Sequence, residues 1–132
     1  MDNKDVVRAY VDAFNAGDFD AAVAQFAPDA VIYGVMGHGP PHVVRTIWEE
    51  LRASMSMQLE ILGMVAEGSS VAVRFRETGR FVGRFRGLQG HEPTNRTFEI
   101  VSMEWFDLAD GRIIRRWGAR DSASITRQVL TS

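Results

Sequence analysis

The stretch DGRIIRRWGARD, residues 110–121, decides how the rest of the chain is read. Asp110-Gly111 is the dipeptide of a tight hairpin turn, and an apolar-and-arginine strand follows it. Side chains alternate faces along a strand, so Ile113, Arg115, Trp117, Ala119 and Asp121 are expected on one side. That sets a carboxylate on the face of an indole with no lysine beside it. An acid held against an aromatic wall resists ionisation and can exchange protons near neutral pH. The plainer reading, in which Asp121 ends a strand at the surface, stays open on spacing alone.

The segments before it are also β in character. Arg96 to Leu108 reads as the preceding strand, after a polar, glycine-rich loop from Gly87 to Asn95 that contains Pro93. Met57, Leu59 and Ile61 alternate with polar residues, and Val71, Val73 and Phe75 alternate with Ala72, Arg74 and Arg76 after a Gly68-Ser69-Ser70 turn. The first third is helical. Val6, Val7, Tyr10, Val11 and Phe14 fall at helical spacing within Asp2 to Ala16, Gly17 stops that helix, and Asp18 caps a second from Phe19 to Phe26. A short strand is expected from Ala30 to Val35, then a loop over residues 37–41, then a helix from His42 to about Ser54 carrying Val43, Val44, Ile47, Trp48 and Leu51. Ser122 to Ser132 reads as a strand tail or a short helix. Helices first and antiparallel strands after them argue an α+β fold, one domain over residues 1–132.

Hydrophobic residues make up 45% of the chain and charged residues 24%, an ordinary globular balance. The net charge of -2, with both signs interspersed, argues against a nucleic-acid surface. Arg80, Arg84, Arg86 and Arg96 alternate with Phe81 and Phe85, which describes a two-faced strand better than an RNA platform. No apolar run reaches membrane-spanning length, and no leader opens the chain, so a cytoplasmic protein without a membrane partner is expected. The absence of cysteine removes disulfides, thiolate ligands and cysteine nucleophiles. His38, His42 and His91 lack metal-ligand spacing, so no metal is expected.

Asn15-Ala16-Gly17-Asp18-Phe19-Asp20, followed by Phe26-Ala27-Pro28-Asp29-Ala30, resembles the opening of the nuclear transport factor 2-like superfamily. Gly68-Ser69-Ser70-Val71-Ala72-Val73-Arg74 is similar to its middle strand, and Asp110 to Ile114 with Trp117 to its final hairpin. The loop carrying Pro93, Thr94, Asn95 and Arg96 resembles the SnoaL-like polyketide cyclase branch. The resemblance covers nearly the whole chain. It implies three N-terminal helices closing over a strongly curved antiparallel sheet, an apolar pocket inside, and dimers through the outer sheet face. It also implies an aspartate, matching Asp121, as acid/base in the aldol closure of a polyketide-like ketone, with no metal or organic cofactor.

Glu104 is a second candidate acid, on the face of Phe98, Ile100, Ser102 and Phe106. Either it is a buried pocket acid, or the strand bulges and it pairs with Arg115 or Arg74. The opposite face, with Val101, Met103 and Trp105, suits a dimer interface. Tyr10 lies where ketosteroid isomerases, members of the same superfamily, carry an oxyanion-binding tyrosine, but Gly34 stands where they need an aspartate base. Two cyclase positions also differ: Tyr33 replaces a frequent histidine, and Arg115-Arg116 replaces Glu-His. Asp121, Glu104 and Tyr10 are thus the candidate catalytic residues, with Phe14, Tyr33, Trp48, Ser102 and Trp117 as substrate contacts. The expected ligand is hydrophobic, a polycyclic or aromatic small molecule. Three readings stay open: an acid/base cyclase or isomerase, a non-catalytic binder of such a molecule, or a dimerising domain with a vestigial pocket.

Overall fold

The computed structural model describes residues 2–130. Asp2 accepts a hydrogen bond from the Asp5 amide at 2.8 Å while the Asp5 carboxylate accepts from the Asp2 amide, and this reciprocal cap starts α1, Asn3–Ala16. Its apolar stripe, Val6, Val7, Tyr10, Val11 and Phe14, is buried. Gly17, in the left-handed conformation at φ 72°, closes the helix, and Asp18 caps α2, Phe19–Ala24. The third helix, α3, runs Pro41–Met55 and starts on a proline, whose missing amide costs nothing in a first turn. A fourth helix, α4, runs Ser122–Leu130. This settles the expectation for Ser122 to Ser132 as a helix, with residues 131 and 132 outside the described residues.

Among the described residues six strands form one sheet: β1 Phe26–Gly34, β2 Gly37–Gly39, β3 Gln58–Glu67, β4 Ser70–Arg80, β5 Thr97–Ala109 and β6 Arg112–Ala119, in the order β2-β1-β6-β5-β4-β3. The sheet is mixed rather than wholly antiparallel, because β1 runs parallel to β6. The first strand begins at Phe26, earlier than the pattern suggests. Pro28 is tolerated within it because the pairing with β6 is interrupted between Phe26 and Val31. Of the stretch expected as a loop over 37–41, Gly37–Gly39 instead pairs back on β1 through a two-residue turn, Val35-Met36, and Pro40 and Pro41 already belong to the start of α3. No helix is long and apolar enough to cross a membrane among the described residues.

Two bulges bend the sheet. An extra residue, Leu62, interrupts β3 opposite β4, and another, Ile114, interrupts β6 opposite β5. The helices pack against the concave face, where Tyr10 meets Phe26, Trp48 and Phe106 with ring centroids 5.3, 5.5 and 5.8 Å away. Asn15 fastens α1 to the sheet: its amide donates to the Leu59 carbonyl at 2.7 Å and accepts from the Leu59 amide at 2.8 Å. Both arms of one side chain thus serve Leu59, near the start of β3. Replacing it as Asn15→Ala strands two partly buried backbone groups, and we expect a loss of about 1–3 kcal/mol in stability, read from the urea unfolding midpoint.

Candidate functional site

Alternation on β5 turns Phe98, Ile100, Ser102, Glu104 and Phe106 toward the helices and leaves Val101, Met103 and Trp105 exposed. Counting on from Val71, Val73 and Phe75, the next inward position on β4 is Glu77, which is 1% exposed. Two carboxylates therefore stand on the inner face of an otherwise apolar sheet. β6 answers them with two arginines. Arg116 donates to Glu104 Oε2 at 3.0 Å, and Arg120, just past the end of β6, clamps Glu77 through Nε and Nη2.

This arrangement inverts the expected faces of the last strand. Ile113 points inward and is fully buried, but the extra residue at Ile114 advances the strand by one position. A one-residue slip exchanges the two faces. From there on Arg116, Gly118 and Arg120 face the helices, while Arg115 and Trp117 face out. Trp117 is 39% exposed and stacks at 7° on Tyr33, which also stacks on His38. Tyr33 and Trp117 therefore lie on the convex face and do not wall the pocket. Asp121 is exposed and caps α4, with its carboxylate accepting from the Ser124 amide at 3.0 Å. It lies on a helix start rather than on a strand face beside the indole.

An apolar cavity of about 50 Å³ lies between α1, α3 and the sheet. Tyr10, Phe14, Trp48 and Glu104 line it, together with Arg116 and Arg120. Ser102 is buried on the same sheet face, two residues before Glu104, without lining the cavity, and its Oγ has no hydrogen-bond partner. Glycines flank the Arg116 guanidinium. A Cβ added to Gly118 would come within 3.2 Å of Nη1, and one on Gly34 within 3.6 Å of Nη2. The first approach is tighter than an ordinary contact, and the second is not.

Glu104 Oε1 and Arg116 Nε, both buried, have no hydrogen-bond partner. Burial pushes the Glu104 carboxyl above the usual carboxylate range; Arg116 pulls it back, and Glu77 adds to the rise. Burial works against the Arg116 charge, but Glu104 and then Tyr10 more than offset it, so the guanidinium stays a cation. Burial, reinforced by Glu104, lifts the Tyr10 phenol above its ordinary value and keeps its proton in place as a donor. Among the described residues no three acidic or histidine side chains converge as a metal site. Glu77 was legible as the next step of the β4 alternation. Arg116 was not, because nothing local in the sequence marks the bulge.

A helix-capped, open curved sheet holding buried acid–arginine pairs over an apolar cavity defines a class of small α+β pocket proteins. The family model of the SnoaL-like domain matches residues 7–116, and the chain belongs to that family. Among solved structures it is similar to IdmH, a putative polyketide cyclase from Streptomyces antibioticus, at 25% identity over 97% of this chain and 98% of that one, TM-score 0.85. A putative polyketide cyclase from Xanthomonas campestris shares the fold at 24% identity, 95% and 94% coverage and TM-score 0.86. AclR from Streptomyces galilaeus, a putative hydroxylase, shares it at 22% identity, 94% and 78% coverage and TM-score 0.82. A comparison with curated proteins gives no match.

Breaking a buried ion pair leaves a stranded charge, whereas replacing both partners removes the problem. We therefore expect Arg116→Met to cost about 3–5 kcal/mol and the double variant Glu104→Leu/Arg116→Met to cost much less, both measured by urea unfolding. The raised Glu104 value means that the folded state holds this proton more tightly than the unfolded chain. That stabilisation is complete below about pH 4.3 and is lost as pH rises through the folded value.

Proposed function

We propose that this protein is a cofactor-independent acid/base enzyme acting on a polyketide-like ketone, with Glu104 moving the proton. The observation that carries this is the buried Glu104–Arg116 pair at the wall of an apolar cavity, with one oxygen and one nitrogen unpartnered. A ketone entering the cavity supplies what the pair lacks. Its carbonyl oxygen accepts from Arg116 Nε and from the Tyr10 hydroxyl, and the adjacent carbon presents its proton to Glu104 Oε1.

As base, Glu104 takes that proton, and the electron pair of the broken C–H bond delocalises onto the carbonyl oxygen, whose charge Arg116 and Tyr10 hold. In a cyclisation the enolate carbon then attacks a second carbonyl of the same molecule, forming the C–C bond. The proton on Glu104 passes to the new alkoxide. In an isomerisation the same proton returns to a different carbon. The polyketide-cyclase descriptions of IdmH and the Xanthomonas protein favour the first outcome. A raised carboxyl pKa suits both steps, since the group must give up its proton as readily as it takes one. In this reading the role expected of Asp121 passes to Glu104, and Asp121 serves as the cap of α4.

The convex face belongs to the same proposal. Val65, Val101, Met103, Trp105 and Trp117 are exposed together there, with Trp105 at 49%, and a second copy of this chain is their partner in a homodimer. Placing a charge in that patch as Trp105→Lys is expected to convert dimer to monomer in sedimentation equilibrium. A wild-type monomer at tens of micromolar would remove this part of the reading.

Proton abstraction has a direct readout: deuterium exchange at the α-carbons of cyclohexanone in D2O, followed by proton NMR. We expect wild-type protein to accelerate exchange, with a rate that rises with pH through the elevated Glu104 value. Glu104→Gln, which keeps a hydrogen-bond acceptor beside Arg116, should lose about 10²–10⁴-fold, and Asp121→Asn should retain most of the rate. Equal loss in Asp121→Asn, or undiminished exchange in Glu104→Gln, overturns the assignment. Ketone binding without exchange in the wild type would leave a ligand-binding protein.

A further inference from the structure

A second hollow, of about 240 Å³, adjoins the cavity. Its walls come from three parts of the chain: Met55 at the end of α3, Phe85 and Leu88 from the segment between β4 and β5, and Ile125 and Thr126 from α4. The two hollows share Val35, Met36 and Arg120. Val35 and Met36 are the two residues of the β1–β2 turn, and Arg120 is the cation clamped by Glu77.

We infer that these hollows are one binding site divided by Met36 and Arg120, and that the substrate is an elongated ketone. This rests on the carbonyl position given above. The carbonyl end occupies the inner cavity at Glu104 and Arg116, and an unbranched alkyl tail passes Met36 into the outer chamber.

Three observations carry the inference. The inner cavity is far smaller than the roughly 300–1,000 Å³ usual for small-molecule sites, so any ligand beyond a few heavy atoms must extend out of it. The outer chamber is a continuation that shares Val35, Met36 and Arg120 with it, and that chamber is lined mainly by apolar side chains. Finally, its outer walls are pinned, as is Arg120, while the other half of the partition, Met36, is not. Ser54 holds the β4–β5 segment through its carbonyl, which accepts from the Val82 and Gly83 amides, and through its hydroxyl, which donates to the Arg84 carbonyl at 2.7 Å. Glu50 accepts from the Arg86 amide and guanidinium at 2.6 and 2.8 Å. Met36, by contrast, is a half-buried, unbranched thioether on a turn tip, and such a side chain changes rotamer without breaking a hydrogen bond. Its methyl lies against the same segment, 3.4 Å from where a Cβ on Gly87 would sit. Arg120 keeps Nη1 outside its clamp on Glu77, free to meet a ligand oxygen at the boundary.

The test is the chain-length dependence of binding for 2-alkanones from 2-butanone to 2-dodecanone, measured by ligand-observed NMR titration. In the wild type the affinity should rise by about two- to fourfold per methylene once the chain passes Met36, then level off when the chamber is full. Thr126→Trp and, separately, Ser122→Trp place an indole at exposed rim positions of the chamber without disturbing the core. Both should flatten the chain-length slope and leave 2-butanone binding unchanged, with the melting temperature confirming an intact fold. A wild-type affinity independent of chain length overturns the inference, as does a slope that survives in both tryptophan variants. If the slope holds while Tyr10→Phe, which removes a donor to the carbonyl oxygen, leaves every affinity unaltered, the chamber stands and the carbonyl position beside Tyr10 and Arg116 fails.

Discussion

The burial of two acid–arginine pairs on the concave face of the sheet is the constraint around which the rest of the molecule is arranged. Taking a carboxylate and a guanidinium out of water costs several kcal/mol per ion before their attraction returns any of it. Such a cost is sustained only in a well-packed surround, and here α1 and α3 lay Tyr10, Phe14, Trp48 and Leu51 over the sheet. The Glu77–Arg120 pair is closed, with both carboxylate oxygens engaged. The Glu104–Arg116 pair is open, with an oxygen and a nitrogen left unpartnered. Two pairs of the same chemistry thus stand side by side, one structural and one with spare hydrogen-bonding capacity at a cavity. This difference, rather than the presence of charge alone, singles out Glu104.

The geometry that permits the open pair comes from a single extra residue. If Ile114 took a regular ladder position instead of bulging, strict alternation from Ile113 would send Arg115 and Trp117 inward and Arg116 out. With it, Arg116 reaches Glu104 from the adjacent strand, and the indole joins Tyr33 on the convex side. Gly118 then leaves space that the guanidinium fills. One bulge thereby sets both the polarity of the cavity and the apolar character of the outer face.

Much of the architecture could be read from residue patterns. The Val6, Val7, Tyr10, Val11, Phe14 stripe predicts α1, and Asp18 predicts the start of α2. The Asp110-Gly111 turn joins β5 to β6 at the expected place. These signals are local, and each depends on a cap, a period or a turn conformation within a few residues. The inward position of Glu104 among Phe98, Ile100, Ser102 and Phe106 is local in the same sense, since β5 is continuous and its alternation is unbroken through that stretch. Tyr10, Phe14 and Trp48 reach the cavity because regular helices keep their apolar stripes in register with the sheet beneath them. Tyr33, Trp117 and Asp121 do not: Tyr33 alternates outward from the buried Ile32, Trp117 follows the bulge in β6, and Asp121 lies where the chain passes from strand to helix.

Taken alone, the sequence determined the order of elements, the family resemblance, the capped helices and the presence of an acid within an apolar strand face. Tertiary structure decided which arginine meets that acid, that β1 lies parallel to β6, and that the end of the last strand turns Asp121 into a helix cap. The physical reason is that strand periodicity carries no record of a bulge. A bulge forms where neighbouring strands must curve together and where a buried carboxylate needs a cation, and both requirements arise between segments far apart in the chain.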